Sequence, residues 1–258
     1  MKPGTPMTPA CDRPSKTSRY RERAYRNQVG TRLTCETVRV QETDLAVYTD
    51  RPPVADMARQ LVIEQRGYLE TYIGQHPEFA VTLAPWQADP VAPPIVREMI
   101  QAALKAGVGP MAAVAGAMAQ QIGERLLARG DEVVIENGGD IYIHTRRSAT
   151  IGVFAGDSPL SMKLGLQFDS ETMPRGVCTS SGRIGHSRSF GKADAVSVAC
   201  ASCAMADAAA TAIANRVQSA NQIESAIAWG RRIPDVEGIV VIVGDKIGVW
   251  GKMTMVPL

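Results

Sequence analysis

Residues 202–217, S-C-A-M-A-D-A-A-A-T-A-I-A-N-R-V, constrain the fold more than any other stretch. Their alanine, methionine, isoleucine and valine content predicts a helix that lies inside the protein rather than on it. Cys203, Asp207, Thr211 and Asn215 are spaced by four and therefore share one face of that helix. A water-facing stripe would normally carry Lys, Glu or Arg. This one carries a short carboxylate, a hydroxyl and an amide, oxygen donors that suit a hard cation such as magnesium. The alternative is a modestly polar stripe facing water or a partner subunit. The helix is preceded by a strand at 195–199 and by the hydroxyl-rich turn Thr179-Ser180-Ser181-Gly182, and His186 lies between them.

The chain has 258 residues, long enough for one large core or a closely packed pair of domains. A net charge of +2 is too small to argue for nucleic acid or an anionic membrane surface. Four Phe and three Trp do not suggest a base-stacking platform. The longest apolar run, around 239–243, is too short to cross a bilayer. The first 22 residues are basic, proline- and threonine-rich and lack an apolar core, so a disordered extension is expected there, with a single domain over 23–258. Five cysteines with no export signal point to reduced thiols in a cytoplasm. Cys200 and Cys203 form a lone C-x-x-C, which is either a reactive pair at a helix start or two small buried residues.

Alternation predicts a first hairpin over 33–40 and 45–48, followed by helices over 54–73, 95–106 and 111–128. The third helix opens on Ala112-Ala113-Val114-Ala115-Gly116, small residues that admit either a packed neighbour or a ligand. Strands at 133–136 and 141–144 flank Asn137-Gly138-Gly139-Asp140. That segment is either a tight turn or a pair of glycines offering backbone N–H groups to a phosphate, with Asp140 nearby. His144 has no evident partner and reads as structural or exposed. Further strands are expected over 150–155 and 164–168, a short helix over 223–229, and a last hairpin over 238–243 and 247–250. The order gives two rough cycles of hairpin, helices and hairpin, which suggests duplicated halves. Apolar hairpin edges suggest a homodimer. The turn 179–182 is not a P-loop, and no G-x-S-x-G elbow is present.

Several of these segments together resemble a known family. Glu136-Asn137-Gly138-Gly139-Asp140-Ile141 resembles the glycine-glycine-aspartate segment of ApbE-like proteins. Met205-Ala206-Asp207-Ala208-Ala209-Ala210-Thr211-Ala212 is similar to their aspartate–threonine helix, and Thr179 to Gly182 with His186-Ser187 resembles their serine-glycine and serine-histidine region. Two further segments, around Gly107-Val108-Gly109-Pro110 and Phe190-Gly191-Lys192-Ala193-Asp194, are similar to the uncharacterised branch of that superfamily.

The resemblance implies an α/β (α+β), T-fold-like architecture with antiparallel sheets packed on helices. It implies Mg2+ and FAD as cofactors, and transfer of FMN from FAD to a threonine of an acceptor protein with release of AMP. By position, Asp207, Thr211 and the carbonyl of Ala115 would hold the metal. Gly138, Gly139, Asp140, Thr179, Ser180, Ser181 and Gly182 would line the cofactor, and His186 would face the reaction centre. Where ApbE proper carries a lysine, this chain has Val114-Ala115-Gly116. The expected function is therefore binding of a flavin nucleotide with a divalent metal, extending to FMN transfer or cleavage of the FAD pyrophosphate. The alternatives are a non-catalytic flavin or nucleotide carrier, and an accessory of sulfur assimilation or homocysteine formation that uses Cys200 and Cys203.

Overall fold

A computed structural model describes residues 33–170, 175–181 and 191–258. All of them fall in one compact unit, Thr31–Leu258; the extension expected over 1–22 lies outside the described residues. Eight strands form one antiparallel sheet in the order β1 (Thr34–Val40), β2 (Thr43–Thr49), β3 (Val133–Asn137), β4 (Asp140–His144), β7 (Gly176–Ser180), β8 (Ala195–Cys200), β9 (Val236–Val243) and β10 (Lys246–Gly251). The order repeats a unit: the hairpin β1–β2, then helices, then the hairpin β3–β4; and the hairpin β7–β8, then helices, then the hairpin β9–β10. This is the duplication expected from the sequence.

Helices α1 (Ala55–Gln75), α2 (Pro94–Ala106), α3 (Val114–Leu127), α4 (Cys203–Ala214) and α5 (Ile223–Gly230) cover one face of the sheet. They share with it the larger core, which includes Leu45, Val47, Ile135, Val196, Val198, Ile239 and Val241. A second core lies on the other face, where Val177, Ala195, Ala199, Val240 and Ile242 meet a small antiparallel sheet. Its order is β11 (Thr254–Pro257), β6 (Leu164–Phe168) and β5 (Ala149–Gly152). With helices on one face and a sheet on the other, the central strands are buried on both sides. This is why β8 is buried throughout and reads as a near-continuous apolar run.

α4 is the innermost helix, packed on α2, α3, β7 and β8. Its alanines allow this: eleven of its twelve residues are buried, and small side chains let neighbouring backbones come close. The third predicted helix differs from expectation. A 3-10 turn, Pro110–Ala113, comes first, and α3 starts only at Val114. No single helix among the described residues is long and apolar enough to cross a membrane.

Candidate functional site

The face of α4 that carries Asp207 meets the start of α3. The Gly116 N–H donates to Asp207 Oδ2 at 2.9 Å, and the Ala115 N–H also bonds the carboxylate. These are first-turn donors of α3, which have no partner within their own helix. Ala113, at the helix's N-cap position, offers no side-chain cap, so Asp207 supplies one from another element. Gly116 makes the approach possible. A Cβ there would lie 2.4 Å from the Cys203 carbonyl oxygen and 2.9 Å from the Asp207 Cβ. The start of α4 is held in turn by Gln120 of α3, whose Oε1 accepts the Cys203 N–H at 2.7 Å and the Ser202 hydroxyl at 3.2 Å.

The turn between β3 and β4 reaches the same place. Asn137 and Asp140 pair across a two-residue loop, with Gly138 at φ +78°. The segment is thus a tight turn, and it also lies against its neighbour. A Cβ on Gly139 would stand 2.5 Å from the Thr179 carbonyl oxygen, while the Gly139 carbonyl accepts the Thr179 N–H at 2.8 Å. The Asn137 amide donates to the Ala115 carbonyl at 3.2 Å, which ties this turn to the start of α3.

Burial raises the Asp207 carboxyl well above the usual carboxylate range, and the nearby charge of Asp140 raises it further. The N–H groups of Gly116 and Ala115 offset only part of this. Asp207 is half-buried, and protein atoms crowd its carboxyl. Among the described residues it has no ion-pair partner. Among the described residues, Asp207 thus has a second carboxylate nearby and no cationic side chain paired with it. Thr211, one turn further along α4, is buried.

β7 runs beside α4, and alternation sorts its residues between the two faces. Cys178 faces α4, with its thiol 3.3 Å from the Cys203 carbonyl oxygen and 3.5 Å from the Cys203 Sγ. Ser180 lies on the same face, is buried, and its Oγ has no hydrogen-bond partner among the described residues. Thr179 points the other way, its hydroxyl bonded to Ser197 at 2.8 Å. The structure therefore brings together Ala115, Gly138, Gly139, Asp140 and Asp207, places Ser180 and Thr211 on elements that face this junction, and turns the Thr179 side chain out of it. Ser181 is the last described residue before the 182–190 segment; Gly182 and His186 lie outside the described residues.

Two partners were not apparent from sequence. Asn137 sat in view beside the glycines but has a positioning contact that only the tertiary fold creates. Gln120 gives no sequence signal, because it caps a helix 83 residues away. His144 also gains a partner, the Arg175 guanidinium. The C-x-x-C cysteines diverge: Cys200 Sγ donates to the Asp235 carbonyl at 2.7 Å, whereas Cys203 meets Cys178. Burial pushes the Cys200 thiol up to about 12 and raises those of Cys178 and Cys203 as well, which makes all three poor nucleophiles.

The donor set at the junction is two carboxylates, a hydroxyl and a backbone carbonyl, all oxygen, as a hard cation requires. No group of three or more His, Cys, Asp or Glu among the described residues could hold a metal ion, so a site here would depend on Thr211 and the Ala115 carbonyl. The second lone pair of the carbonyl and the remaining capacity of the carboxylate make this set compatible with magnesium.

Comparison with known proteins places the chain in a family. The family model described as "AbpE bacteria" matches residues 27–245. A UPF0280 protein of Methanosarcina acetivorans is 38% identical over 220 residues, covering 84% of this chain and 87% of that one. The chain belongs to the UPF0280 family of ApbE-like proteins. A UPF0280 protein of Methanocaldococcus jannaschii is 39% identical over 219 residues, covering 83% of this chain and 89% of its own. The UPF0280 fold is shared with solved flavin transferases. The apo flavinyl transferase ApbE of Pseudomonas stutzeri superposes with a TM-score of 0.57 at 17% identity, covering 85% of this chain and 94% of that one. The flavin transferase ApbE of Vibrio cholerae gives 0.52 at 12% identity, covering 84% and 96%. At such identities the likeness is one of fold.

Proposed function

We propose that this UPF0280 protein is an enzyme that binds FAD with a divalent cation where α3, α4 and the β3–β4 turn meet, and that it transfers FMN from FAD to an acceptor protein. The observation that carries this reading is the Asp207–Asp140 carboxylate pair at the start of α3, with no ion-pair partner on Asp207 among the described residues. Such a pair favours a cation. Asp207, the Thr211 hydroxyl and the Ala115 carbonyl would hold magnesium. Bound there, the ion would neutralise a pyrophosphate and stabilise charge on the departing phosphate. Asn137 holds the Ala115 carbonyl in place, and Gln120 holds the first turn of α4.

The buried, unpartnered Ser180 hydroxyl is a donor for a phosphate oxygen. Gly138 leaves the backbone beside Asp140 open to a ligand, and the family resemblance assigns Ser181 and Gly182 to the same cofactor. His186 is assigned to the reaction centre as the base for the acceptor hydroxyl. In the reaction a new O–P bond forms from that hydroxyl to the FMN phosphorus, the P–O–P bond breaks, and AMP leaves. That the structural neighbours are flavin transferases supports this chemistry.

The second reading is a flavin carrier without transfer. The absence of a lysine at Val114-Ala115-Gly116 favours it. The thiol-based alternative has no such support, because Cys200 and Cys203 are buried and hold different partners. The test is to incubate the protein with FAD and Mg2+ and follow AMP together with flavin fluorescence. AMP that appears in the wild type and is lost in Asp207→Asn supports the enzyme. Metal-dependent binding without AMP supports the carrier, and no FAD binding in any condition refutes both.

A further inference from the structure

β10 ends the eight-stranded sheet, and nothing among the described residues pairs with its outer side. A two-residue loop, Gly244-Asp245, joins β9 to β10, so Val243 and Lys246 form the hydrogen-bonded pair that closes it. Alternation then turns the N–H and C=O groups of Lys246, Gly248 and Trp250 toward β9, and those of Ile247 and Val249 outward. The Lys252 N–H, which donates to the Glu237 carbonyl at 3.0 Å, continues the inward set. The outward residues are apolar and open, Ile247 37% and Val249 43% exposed. At the opposite edge, β1 carries Glu36 and Arg39, and the Arg59 guanidinium takes the Arg39 carbonyl at 2.9 Å. The outward backbone of β1 is thus partly taken up by the Arg59 guanidinium, whereas on β10 the one charge, Lys246, sits at the turn and leaves Ile247 and Val249 open.

On the helix side of β10 an open groove of about 550 Å3 runs between the strand and α5. Ile223, Glu224, Ile227, Arg231, Lys246 and Trp250 are among the residues that line it. It carries charges of both signs in one patch, as a two-fold contact needs when each copy presents the same surface.

We propose that this edge pairs antiparallel with the β10 edge of a second copy, about a two-fold axis at Gly248. In that register the outward N–H and C=O groups of Ile247 meet those of Val249 of the second copy, and the reverse, satisfying all four residues. On the face toward the small sheet, each Ile247 side chain lies opposite a Val249, forming a closed apolar cluster. On the helix face, each Lys246 lies opposite a Trp250, a cation–π pairing across the strands. Gly248 on the axis presents no side chain to its counterpart. A Cβ there would lie 2.3 Å from Ile223 Cγ2, so the position is small for a reason inside the protomer, and this also lets the two backbones meet. A register shifted by two residues either way would lose the Lys246–Trp250 pairs and one of the two apolar pairings.

The test is sedimentation of the full chain at micromolar concentration. The expected species has twice the 27.6 kDa chain mass. Val249→Pro removes an outward N–H without touching a bond to β9, and Ile247→Lys places a cation against the other copy's Val249. Each variant is expected to keep the wild-type circular dichroism and to weaken the dimer by more than about tenfold. Should Val249→Pro fail to fold, Ile247→Lys decides. A wild type that sediments as a monomer overturns the proposal, as does a dimer that persists in the folded variants.

Discussion

Gly116→Ala tests the joint between the two central helices. The added Cβ would lie 2.4 Å from the Cys203 carbonyl oxygen, about 1 Å inside the 3.4 Å at which ordinary contact begins. The opposing atoms are backbone of α4 and the root of Asp207, so no flexible side chain can swing away. Overpacking of this kind costs about 1–3 kcal/mol. Parting the helices also stretches the Gly116 N–H bond to Asp207, and a hydrogen bond to a neutral group is worth about 0.5–1.5 kcal/mol. Better helix propensity returns up to about 1 kcal/mol. The net loss is therefore about 1–4 kcal/mol in urea unfolding, accompanied by weaker metal-dependent FAD binding. The control is Gly67→Ala in α1, where a new Cβ meets nothing within 4 Å; it is expected to stabilise by about 0.5–1 kcal/mol. Equal stability of Gly116→Ala and the wild type would refute the close approach of α3 and α4 at this point.

Three further outcomes follow from particular side chains. Burial raises Glu98 from the ordinary glutamate value of 4.5 to about 7, with Gln121 opposing and Glu124 reinforcing the rise. The folded state therefore holds this proton longer than the unfolded chain, and stability is lost as pH rises from about 4.5 through 7, by up to about 3 kcal/mol. Unfolding of Glu98→Gln at pH 5 and pH 8 should lack that part of the slope, and an unchanged slope would count against it. Thiol labelling followed by mass mapping should modify exposed Cys35 in the native protein, and Cys178, Cys200 and Cys203 only after unfolding. Rapid native labelling of Cys203 would refute the burial of that pair. Asn137→Ala should weaken metal-dependent FAD binding by about tenfold, because the Ala115 carbonyl loses its anchor; unchanged binding would show that the carbonyl needs no support.

Much of the sheet was legible because its signals are local. Most large-sheet strands show alternation or a short apolar run, and Gly138-Gly139 and Gly244-Asp245 mark their hairpins. β7 is the exception: Thr179 and Ser180 read as part of a hydroxyl-rich turn, but both lie in the strand Gly176–Ser180, paired between β4 and β8. β11 was not legible: four residues with a proline pair with β6 across about ninety residues of chain, and only the docked small sheet gives them a partner. The Asp207 stripe could be read as polar and unusual. That Asp207 caps α3 could not, since the cap joins residues 91 apart. It also depends on α3 starting at Val114, after a 3-10 turn that composition does not distinguish from helix. The C-x-x-C spacing suggested a pair, but the chain bends between β8 and α4, sending Cys200 toward the Asp235 carbonyl and Cys203 toward β7. The side chain of Thr179 was placed with the cofactor by its position in a motif, whereas strand alternation directs it to the opposite face.

The central claim is that Asp207 holds a cation on which FAD binding depends. It is tested most directly by titrating FAD into the metal-free protein and again with saturating Mg2+, for the wild type and for Asp207→Asn. Asparagine retains an oxygen to accept the Gly116 N–H, so the helix joint persists while the charge is removed. The account predicts that Mg2+ tightens FAD binding at least about tenfold in the wild type, and that the coupling vanishes in the variant. Equal coupling in both proteins, or none in the wild type, would contradict it.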